Sequence, residues 1–355
     1  MRYIGNKTKL LEFIRRVLRQ RGIRSGVAVD PFCGTASVAR ELKGLGFSVI
    51  ASDIMEYACV LAKAYVEATG EPDVRAAARK LAAPGTDLRA VVRELNRLPA
   101  VPGFVTANFS APLLGGSSAA RMYFTTENAA RIDTIRGLLQ EWRGDGTIAD
   151  GAYFVLLAAL IEGADRVANT TGVYAAYVKS WQPNARRPLE LRARRLLQGN
   201  GCVAHRADAV ALVAGLEPFD LLYLDPPYNA RQYAGYYHIP ELIAQGWFDE
   251  EPSLRGKTGL LPDRDKRSDW SRRSKCERAL EALLANARCK HVVMSYNAEG
   301  IIPEPVIERL MKEYGRSATY QKDRRRYRRY RSDADGENRK YAGDIVDEYL
   351  YCVDR

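Results

Sequence analysis

The sequence predicts an α/β fold of Rossmann-like strand–turn–helix units, interrupted by a mostly helical insertion. Three observations predict it. The apolar run 221–224 ends abruptly in Asp225-Pro-Pro-Tyr228, as an inner parallel strand does at the ligand-binding edge of a sheet. Near the start, the apolar runs 26–30 and 47–53 each end in an aspartate and flank a glycine-containing turn and a helix. Between these regions, residues 61–199 have mainly helical periodicity.

Composition limits the class of protein. With 46% hydrophobic and 27% charged residues, the 355-residue chain has the composition of a soluble globular protein. Its formal net charge of +11 predicts a polyanionic partner, although solubility alone accounts for part of such an excess. Six scattered cysteines and three histidines favour neither a disulfide framework nor a zinc site, so we predict no metal and a reduced cytoplasmic setting. Because no signal core follows Met1 and no stretch reaches about 18 apolar residues, we expect neither export nor a membrane span.

The chain opens with Arg2-Tyr-Ile-Gly-Asn-Lys7 and continues into a helical pattern of apolar residues, for which Thr8 is the predicted N-cap. Gly5 and Asn6 ahead of a helix offer backbone donors to a carboxylate or phosphate, and Lys7 adds a positive charge. A plain surface turn is the alternative interpretation.

The first strand, 26–30, ends at Asp30 and is followed by Pro31-Phe-Cys-Gly34-Thr and a helix to about residue 45. A cofactor can approach the backbone closely in this arrangement. Neither G-x-G-x-x-G nor the Walker pattern is present, so the expected ligand has no pyrophosphate. Asp53 ends the second strand, where acids commonly hydrogen-bond ribose hydroxyls. A nucleoside cofactor without phosphates, S-adenosylmethionine (SAM), fits both facts; the alternative is an incidental acid in a Rossmann-like unit.

The segment Asp225-Pro-Pro-Tyr228 holds a carboxylate, free carbonyls and an aromatic ring on a stiff backbone. These groups suit a planar ring that carries an amino group, such as adenine or cytosine, taken out of a nucleic-acid stack. The alternative is an ordinary Pro-rich turn in which Asp225 caps the strand and Tyr228 lies on the surface.

In this order, these segments resemble the Dam-like class of SAM-dependent DNA adenine-N6 methyltransferases, and Asn229-Ala-Arg-Gln-Tyr233 resembles its type II restriction-modification branch. Residues 1–60 and 200–240 carry the resemblance. It implies a mostly parallel seven-stranded sheet with a C-terminal antiparallel hairpin, and a target recognition domain inserted before the catalytic motif. One departure is Ala36, where the family pattern has a second glycine after Gly34; we expect this alanine to crowd the approach of the cofactor to the backbone.

The resemblance also implies the site residues. The catalytic set is Asp225, Pro226, Pro227 and Tyr228. The implied SAM-binding residues lie in the opening segment, at the ends of three strands and in the catalytic motif: Tyr3, Gly5, Asn6, Lys7, Asp30, Phe32, Cys33, Gly34, Thr35, Asp53, Ile54, Asp208, Ala209 and Asp225. Among them, Asp208 is assigned a hydrogen bond from the adenine amino group of SAM.

Residues 1–60 and 200–355 are predicted to form the SAM-binding and catalytic core, and 61–199 the inserted target recognition domain. Helices are predicted at 56–69, 72–98 with a break at Pro84-Gly85, 127–142, 151–166 and 188–198, with a loop at 101–118. The segment 177–187 combines aromatic, amide and cationic side chains, and we predict that Lys179, Arg186 and Arg187 contact DNA. A solvated loop beside a core tryptophan is the alternative.

Past the catalytic motif, Arg231 is a further predicted DNA contact, and for His238 packing or phosphate contact is favoured over base catalysis. Residues 249–274 are charged and aperiodic, typical of a mobile loop that either clamps nucleic acid or is solvated. A helix at 275–288, a strand at 291–295 and a helix at 303–314 restore the α/β alternation.

The strand patterns 317–331 and 344–353 predict a terminal hairpin. Six of the eight residues at 324–331 are arginine. We predict that Arg325, Arg326, Arg328 and Arg329 contact DNA phosphates; a solvated edge strand protected against aggregation is the alternative.

We therefore predict a site-specific methyltransferase that moves the methyl group of SAM to an adenine flipped out of duplex DNA. It is expected to act with a cognate restriction endonuclease or as an orphan methylase. Alternatives are methylation of RNA adenine or of the cytosine amine, and a catalytically inactive nucleic-acid-binding protein.

Overall fold

The computed structural model describes residues 1–114, 120–199, 201–328 and 345–355, and the chain divides into two units. The sheet unit comprises Ile4–Ala62, Gly199–Gln232 and Lys266–Arg355. The helical unit comprises Met1–Tyr3, Lys63–Gln198 and Tyr233–Asp265.

The predicted domain boundaries near residues 60 and 200 lie close to the unit boundaries. Residues 1–3 and 233–265, which the prediction placed in the core, group with the helical unit instead. The predicted loop residues 115–118, and Arg329 with the rest of 329–331, lie outside the described residues.

Seven strands form the sheet of the sheet unit. They are β1 Val27–Asp30, β2 Ser48–Asp53, β3 Val203–Arg206, β4 Phe219–Leu224, β5 Cys289–Asn297, β6 Gln321–Arg328 and β7 Ile345–Asp354. Their order across the sheet is β3-β2-β1-β4-β5-β7-β6. Strands β1 to β5 are parallel, and β7 is antiparallel to both of its neighbours, β5 and β6. The predicted mostly parallel sheet with a C-terminal antiparallel hairpin is confirmed.

The neighbouring strands β1 and β4 position the predicted site. Ala28 pairs with Leu221 and Val29 pairs with Leu222. Inner parallel strands are covered on both faces, which is why both strands are continuous apolar runs rather than alternating ones. Because the carboxyl ends of parallel strands lie at one edge of a sheet, Asp30, Asp53 and Asp225 all come to that edge.

Helices and strands of the sheet unit share a hydrophobic core. The helices are Leu11–Gln20, Ser37–Gly44, Glu56–Ala62, Ala209–Gly215, Cys276–Asn286 and Glu304–Tyr314. Val213, Leu280 and Leu310 are buried in one cluster with Leu222 and Leu224 of β4. Full burial of such a side chain contributes about 1.5–3 kcal/mol, so the strand that presents Asp225 is firmly held.

The first helix begins with a 3₁₀ turn, Lys7–Leu10. Thr8 was predicted as its N-cap, and this is wrong: Asn6 Oδ1 accepts the hydrogen bond from the Thr8 N–H at 2.9 Å. Asparagine is at least as good a cap as threonine, and here it stands one residue before the turn.

The helices of the helical unit are Arg75–Lys80, Leu88–Leu95, Phe104–Phe109, Thr126–Gly144, Asp150–Val167, Tyr233–Tyr236 and His238–Gln245. The predicted helix 56–69 is α-helical over Glu56–Ala62 and continues as a π-helix over Lys63–Glu67. Phe104–Phe109 lies within the predicted loop 101–118, because the Asp133 carboxylate binds the N–H groups of its first turn at 2.8–2.9 Å. Within the described ranges, no helix combines the length and apolarity needed to cross a lipid bilayer.

The predicted helix 188–198 is wrong, since these residues form neither helix nor strand. Side-chain amides bind the backbone of this segment instead. Asn128 Oδ1 accepts from the Leu189 N–H at 2.7 Å, and Asn96 Oδ1 accepts from the Leu191 N–H at 2.7 Å. Tertiary hydrogen bonds therefore override a local helical pattern.

The end of the predicted mobile loop 249–274 belongs to the core of the sheet unit. Trp270 is 2% exposed, in a short 3₁₀ turn Asp269–Ser271, and its ring meets that of Phe32 edge-on at 4.8 Å. The charge of this segment and its lack of periodicity gave no sign that Trp270 is buried in the core.

Candidate active site at the carboxyl edge of the sheet

Three charged side chains meet beyond the carboxyl end of β4. Lys7 Nζ lies 2.6 Å from Glu348 Oε1 and 3.0 Å from Asp225 Oδ1. Ser295 Oγ of β5 donates a hydrogen bond of 2.5 Å to the same Glu348 oxygen. The Lys7 and Glu348 side chains are 2% and 0% exposed, and that of Asp225 is 17% exposed. Burial of an unpaired ammonium is costly, so the two carboxylates allow Lys7 to stay buried and charged.

The charges of this cluster shift each other's ionisation. Burial opposes the charged form of Lys7, but Asp225 and Glu348 more than offset this and raise the pKa of Lys7 well above its ordinary value. Burial raises the pKa of Asp225 to about 7; Lys7 opposes this shift and Glu348 adds to it. Asp225 therefore changes charge near neutral pH, as carboxyl groups in active sites often do.

Tyr228 packs against the opening segment of the sheet unit. Its ring centroid lies 5.3 Å from Lys7 Nζ, and its ring meets that of Tyr296 edge-on at 6.4 Å. Gly5 has a φ of +82°, and a Cβ added there would come within 2.3 Å of the Tyr228 hydroxyl oxygen. Position 5 therefore requires glycine both for its backbone conformation and for space.

Asp53 holds the turn that follows β1. Its Oδ2 accepts from the Gly34 N–H and its Oδ1 from the Met55 N–H, each at 3.0 Å. Gly34 and Ala36 are both left-handed, with φ of 50° and 57°. An alanine in this conformation costs about 1–2 kcal/mol, which a glycine avoids. Ala36 is 1% exposed, so its methyl group packs against the protein, and the expected crowding of the cofactor stays a prediction.

Asp30 stands at the end of β1 and is 1% exposed. Burial raises its pKa well above the ordinary value, and the charge of Asp225 adds to the shift. Its Oδ1 accepts a hydrogen bond from the Phe32 N–H at 3.3 Å. Three acidic side chains thus mark the ends of β1, β2 and β4.

Comparison with known proteins identifies the family. Residues 3–304 match the family model of D12 class N6 adenine-specific DNA methyltransferases. The chain belongs to this family. It is 32% identical to the type II methyltransferase M.NlaIII of Neisseria lactamica, across 100% of this chain and 99% of that protein. It is also 32% identical to M.FokI of Planomicrobium okeanokoites, of which it spans 53%, and 28% identical to M.CviAII of Paramecium bursaria Chlorella virus 1, of which it spans 97%.

As a D12 methyltransferase, the protein is a site-specific adenine-N6 DNA methyltransferase that uses SAM, as the sequence predicted. The residues at this edge fit that cofactor by their chemistry. Asp53 and Asp225 place carboxyl groups at this edge, which suit the hydroxyl and amino donors of SAM and disfavour a phosphate.

Hydrogen bonds and ring contacts with neighbouring residues hold other predicted SAM-binding residues in place. Asp208 Oδ1 caps the helix Ala209–Gly215 by accepting from Val210 and Ala211 N–H at 3.0 and 3.1 Å, which leaves Oδ2 to accept from a ligand. Phe32 is fixed by Trp270, and the Cys33 N–H donates to the Ser52 carbonyl at 2.9 Å. The individual SAM contacts of this D12 enzyme remain predictions.

Tyr3 and His238 both lie in the helical unit. Tyr3, predicted to bind SAM, packs in that unit against the rings of Tyr233 and Tyr237, with centroids 5.7 and 4.7 Å away. His238 is buried, and burial lowers its pKa to about 4; its ring nitrogens lie 3.3 and 3.0 Å from the carbonyls of Gly235 and Thr258. Of the two interpretations favoured for this histidine, packing and phosphate contact, these contacts agree with packing.

The predicted DNA-binding cations are exposed wherever their side chains are described. In the helical unit these are Lys179, Arg186 and Arg187. In the sheet unit they are Arg231, Arg325 and Arg326, the last two on the edge strand β6, which ends at Arg328. Arg326 lies 3.4 Å from Asp347, so part of its charge is already balanced.

Sequence reasoning missed Glu348 and Ser295, the residues that support Lys7. Glu348 shares one face of β7 with Val346, Leu350 and Cys352, all of which are buried. An acid on the apolar face of an alternating strand is the signal by which it could have been found.

Proposed function

We propose that this enzyme methylates the exocyclic N6 of an adenine flipped out of duplex DNA, with Asp225-Pro-Pro-Tyr228 as the catalytic motif. The observation that carries the proposal is the position of Asp225. It directly follows an inner parallel strand and is ion-paired with buried Lys7, whose ammonium also lies over the ring of Tyr228. Bound SAM supplies an electrophilic methyl group. The protein contributes position and charge, so neither a nucleophilic cysteine nor a metal has a role in the proposal.

Asp225 and the Pro226 carbonyl accept the two amino hydrogens of the adenine, which leaves the nitrogen lone pair available to the methyl group that SAM would supply. Tyr228 stacks on the flipped base and compensates part of the few kcal/mol of unstacking. Pro227 keeps the backbone between these groups stiff.

Burial is the main cause of the raised pKa of Asp225, and Lys7 and Glu348 adjust that pKa in opposite directions. An ionised carboxylate accepts hydrogen bonds more strongly than a protonated one, and Lys7 favours the ionised form. Glu348 and Ser295 in turn hold Lys7 in place.

The helical unit is proposed to recognise the target sequence, and the exposed arginines of β6 to contact phosphates regardless of sequence. A cognate restriction endonuclease is the proposed partner, and the cytoplasm, where SAM and bacterial DNA are found, the proposed location. The relatives named as type II methyltransferases support the proposed endonuclease partner.

The test of the catalytic proposal is Asp225→Ala, with Asp249→Ala as a control that removes an exposed acid. Transfer of tritiated methyl from SAM is measured on duplex DNA, single-stranded DNA and RNA. Asp225→Ala is expected to lose transfer while SAM binding in calorimetry persists, and Asp249→Ala to resemble wild type. Near-normal turnover of Asp225→Ala contradicts the mechanism, and transfer to RNA alone contradicts the proposed substrate.

The phosphate-contact proposal is tested by changing Arg325 and Arg326 together to Gln. Affinity is expected to fall equally for cognate and unrelated duplexes, and the log–log salt slope is expected to shrink by up to about 0.9 for each phosphate that is no longer neutralised. A changed site preference would place β6 in the recognition surface, and an unchanged slope would leave these arginines as edge protection.

A further inference from the structure

The helical unit contains a cavity of about 670 Å³ whose lining is rich in arginine. Its guanidinium groups come from four positions: Arg131, Arg166, Arg187 and Arg192. Glu190 is the one acidic residue among the lining residues, so the charges of the lining sum to a clear positive excess.

One wall of this cavity is the segment 184–192, which begins in a turn and is held by three asparagine side chains. Asn184 Nδ2 donates to the carbonyls of Arg166 and Ala168 at 3.1 and 3.0 Å. Asn128 Nδ2 donates to the Arg187 carbonyl at 2.9 Å, and Asn96 Nδ2 donates to the Leu191 carbonyl at 3.0 Å. These hydrogen bonds fix a segment that forms neither helix nor strand, so this wall is a defined part of the fold.

The helices supply the opposite side. Arg131 belongs to the helix Thr126–Gly144, and its guanidinium donates to the Asn96 carbonyl. Its Nε is buried and has no hydrogen-bond partner in the described part of the chain. Arg166, near the end of Asp150–Val167, donates to the Glu190 carbonyl at 2.5 Å. A guanidinium has five donors, so each of these arginines keeps donors for a ligand.

The charge of the lining is incompletely balanced. Arg192 pairs with the Glu190 carboxylate at 2.9 Å. Burial lowers the pKa of Arg166 and the charge of Arg192 lowers it further, against a smaller opposing effect of the carboxylates of Glu162, Glu190 and Asp165. Like charges held together are destabilising unless an anion neutralises them, and planar guanidinium groups match the oxygens of a phosphate.

We propose that this cavity binds a backbone phosphate of the DNA substrate and so fixes the helical unit on the duplex. The proposal rests on the proposed function, because DNA is the polyanion on which the enzyme acts. Arg187 was predicted to contact DNA from its sequence context, whereas Arg131, Arg166 and Arg192 join it only through the fold. Contacts of this kind position a protein on DNA without reading its sequence.

The test compares Arg187→Gln and Arg131→Gln with Arg89→Gln, which removes the same charge from an exposed position of the helix Leu88–Leu95. Affinity of the full-length protein for one duplex is measured from low to moderate salt. Each cavity variant is expected to weaken binding about 3- to 10-fold and to reduce the log–log salt slope by about 0.9, while Arg89→Gln leaves the slope unchanged. Arg131→Gln also removes the hydrogen bond from Arg131 to the Asn96 carbonyl, so Arg187→Gln is the deciding variant.

SAM affinity is measured on the same proteins and is expected to match wild type. Cavity variants with the slope of Arg89→Gln overturn the inference. A second result would also overturn the inference: inorganic phosphate stabilises the wild type but not Arg187→Gln, and Arg187→Gln binds DNA as the wild type does. The cavity would then bind a free anion instead of DNA. Failure of wild type to methylate duplex DNA would instead refute the proposed function.

Discussion

Glu348→Gln is the sharpest perturbation of the active-site charges. The substitution keeps the size and hydrogen-bonding oxygen of the side chain but removes a charge that raises the pKa of Asp225. Lys7 Nζ touches both carboxylates, at 2.6 and 3.0 Å, so their oxygens are less than about 6 Å apart. At an effective dielectric constant of about 20, the repulsion between two carboxylate charges at that distance is about 3 kcal/mol. Lys7 lies between them and screens it, so we expect the loss of the Glu348 charge to lower the pKa of Asp225 by about 1–2.

The assay is the pH dependence of kcat/KM, which reports ionisations of the free enzyme. If ionised Asp225 is required, wild-type activity rises with pH through about 7. In Glu348→Gln the pKa of Asp225 is lower, so the same rise is expected about 1–2 pH units further to the acid side.

Ser295→Ala is the matched control, because it removes the hydrogen bond to Glu348 but leaves every charge in place. Its profile is expected to keep the wild-type midpoint. A Glu348→Gln profile that rises at the wild-type pH, or a Ser295→Ala profile shifted as far as that of Glu348→Gln, would refute the electrostatic argument.

Three further outcomes are expected. Gly5→Ala should lose at least tenfold in kcat through its clash with Tyr228, whereas Gly22→Ala, with a φ of +72° and nothing within 4 Å of the added Cβ, should lose only about 1 kcal/mol of stability; equal activities would contradict this. Asp225→Asn should abolish transfer yet stabilise the fold above pH 7. Because the pKa of Asp225 is raised in the folded protein, the free energy of unfolding of the wild type should fall by on the order of 2–4 kcal/mol as the pH rises from about 4 to 7. Urea unfolding of both proteins at pH 5 and pH 8 measures this difference. Asp53→Ala should weaken SAM binding by about 1–3 kcal/mol in calorimetry with duplex affinity retained, and unchanged SAM affinity would remove Asp53 from the cofactor site.

The sequence alone was sufficient for the strands that carry the site. Apolar runs that stop at Asp30, Asp53 and Asp225 predicted parallel strands, and parallel strands bring their carboxyl ends to one edge without further information. Proline after Asp225 marked the end of β4 because it lacks the N–H that a further strand residue would donate. These properties depend only on neighbouring residues, so they can be recognised in the sequence alone.

Only the tertiary structure decided how those acids are balanced. Lys7 and Glu348 are 341 positions apart, and no local pattern links a lysine before a helix to an acid in the last strand. The same holds for residues 188–198, whose spacing is helical but whose backbone is bound by Asn96 and Asn128 from elsewhere in the fold. A propensity of a few tenths of a kcal/mol per residue yields to such bonds, each worth about 1 kcal/mol, and their donors and acceptors become neighbours only when the chain has folded.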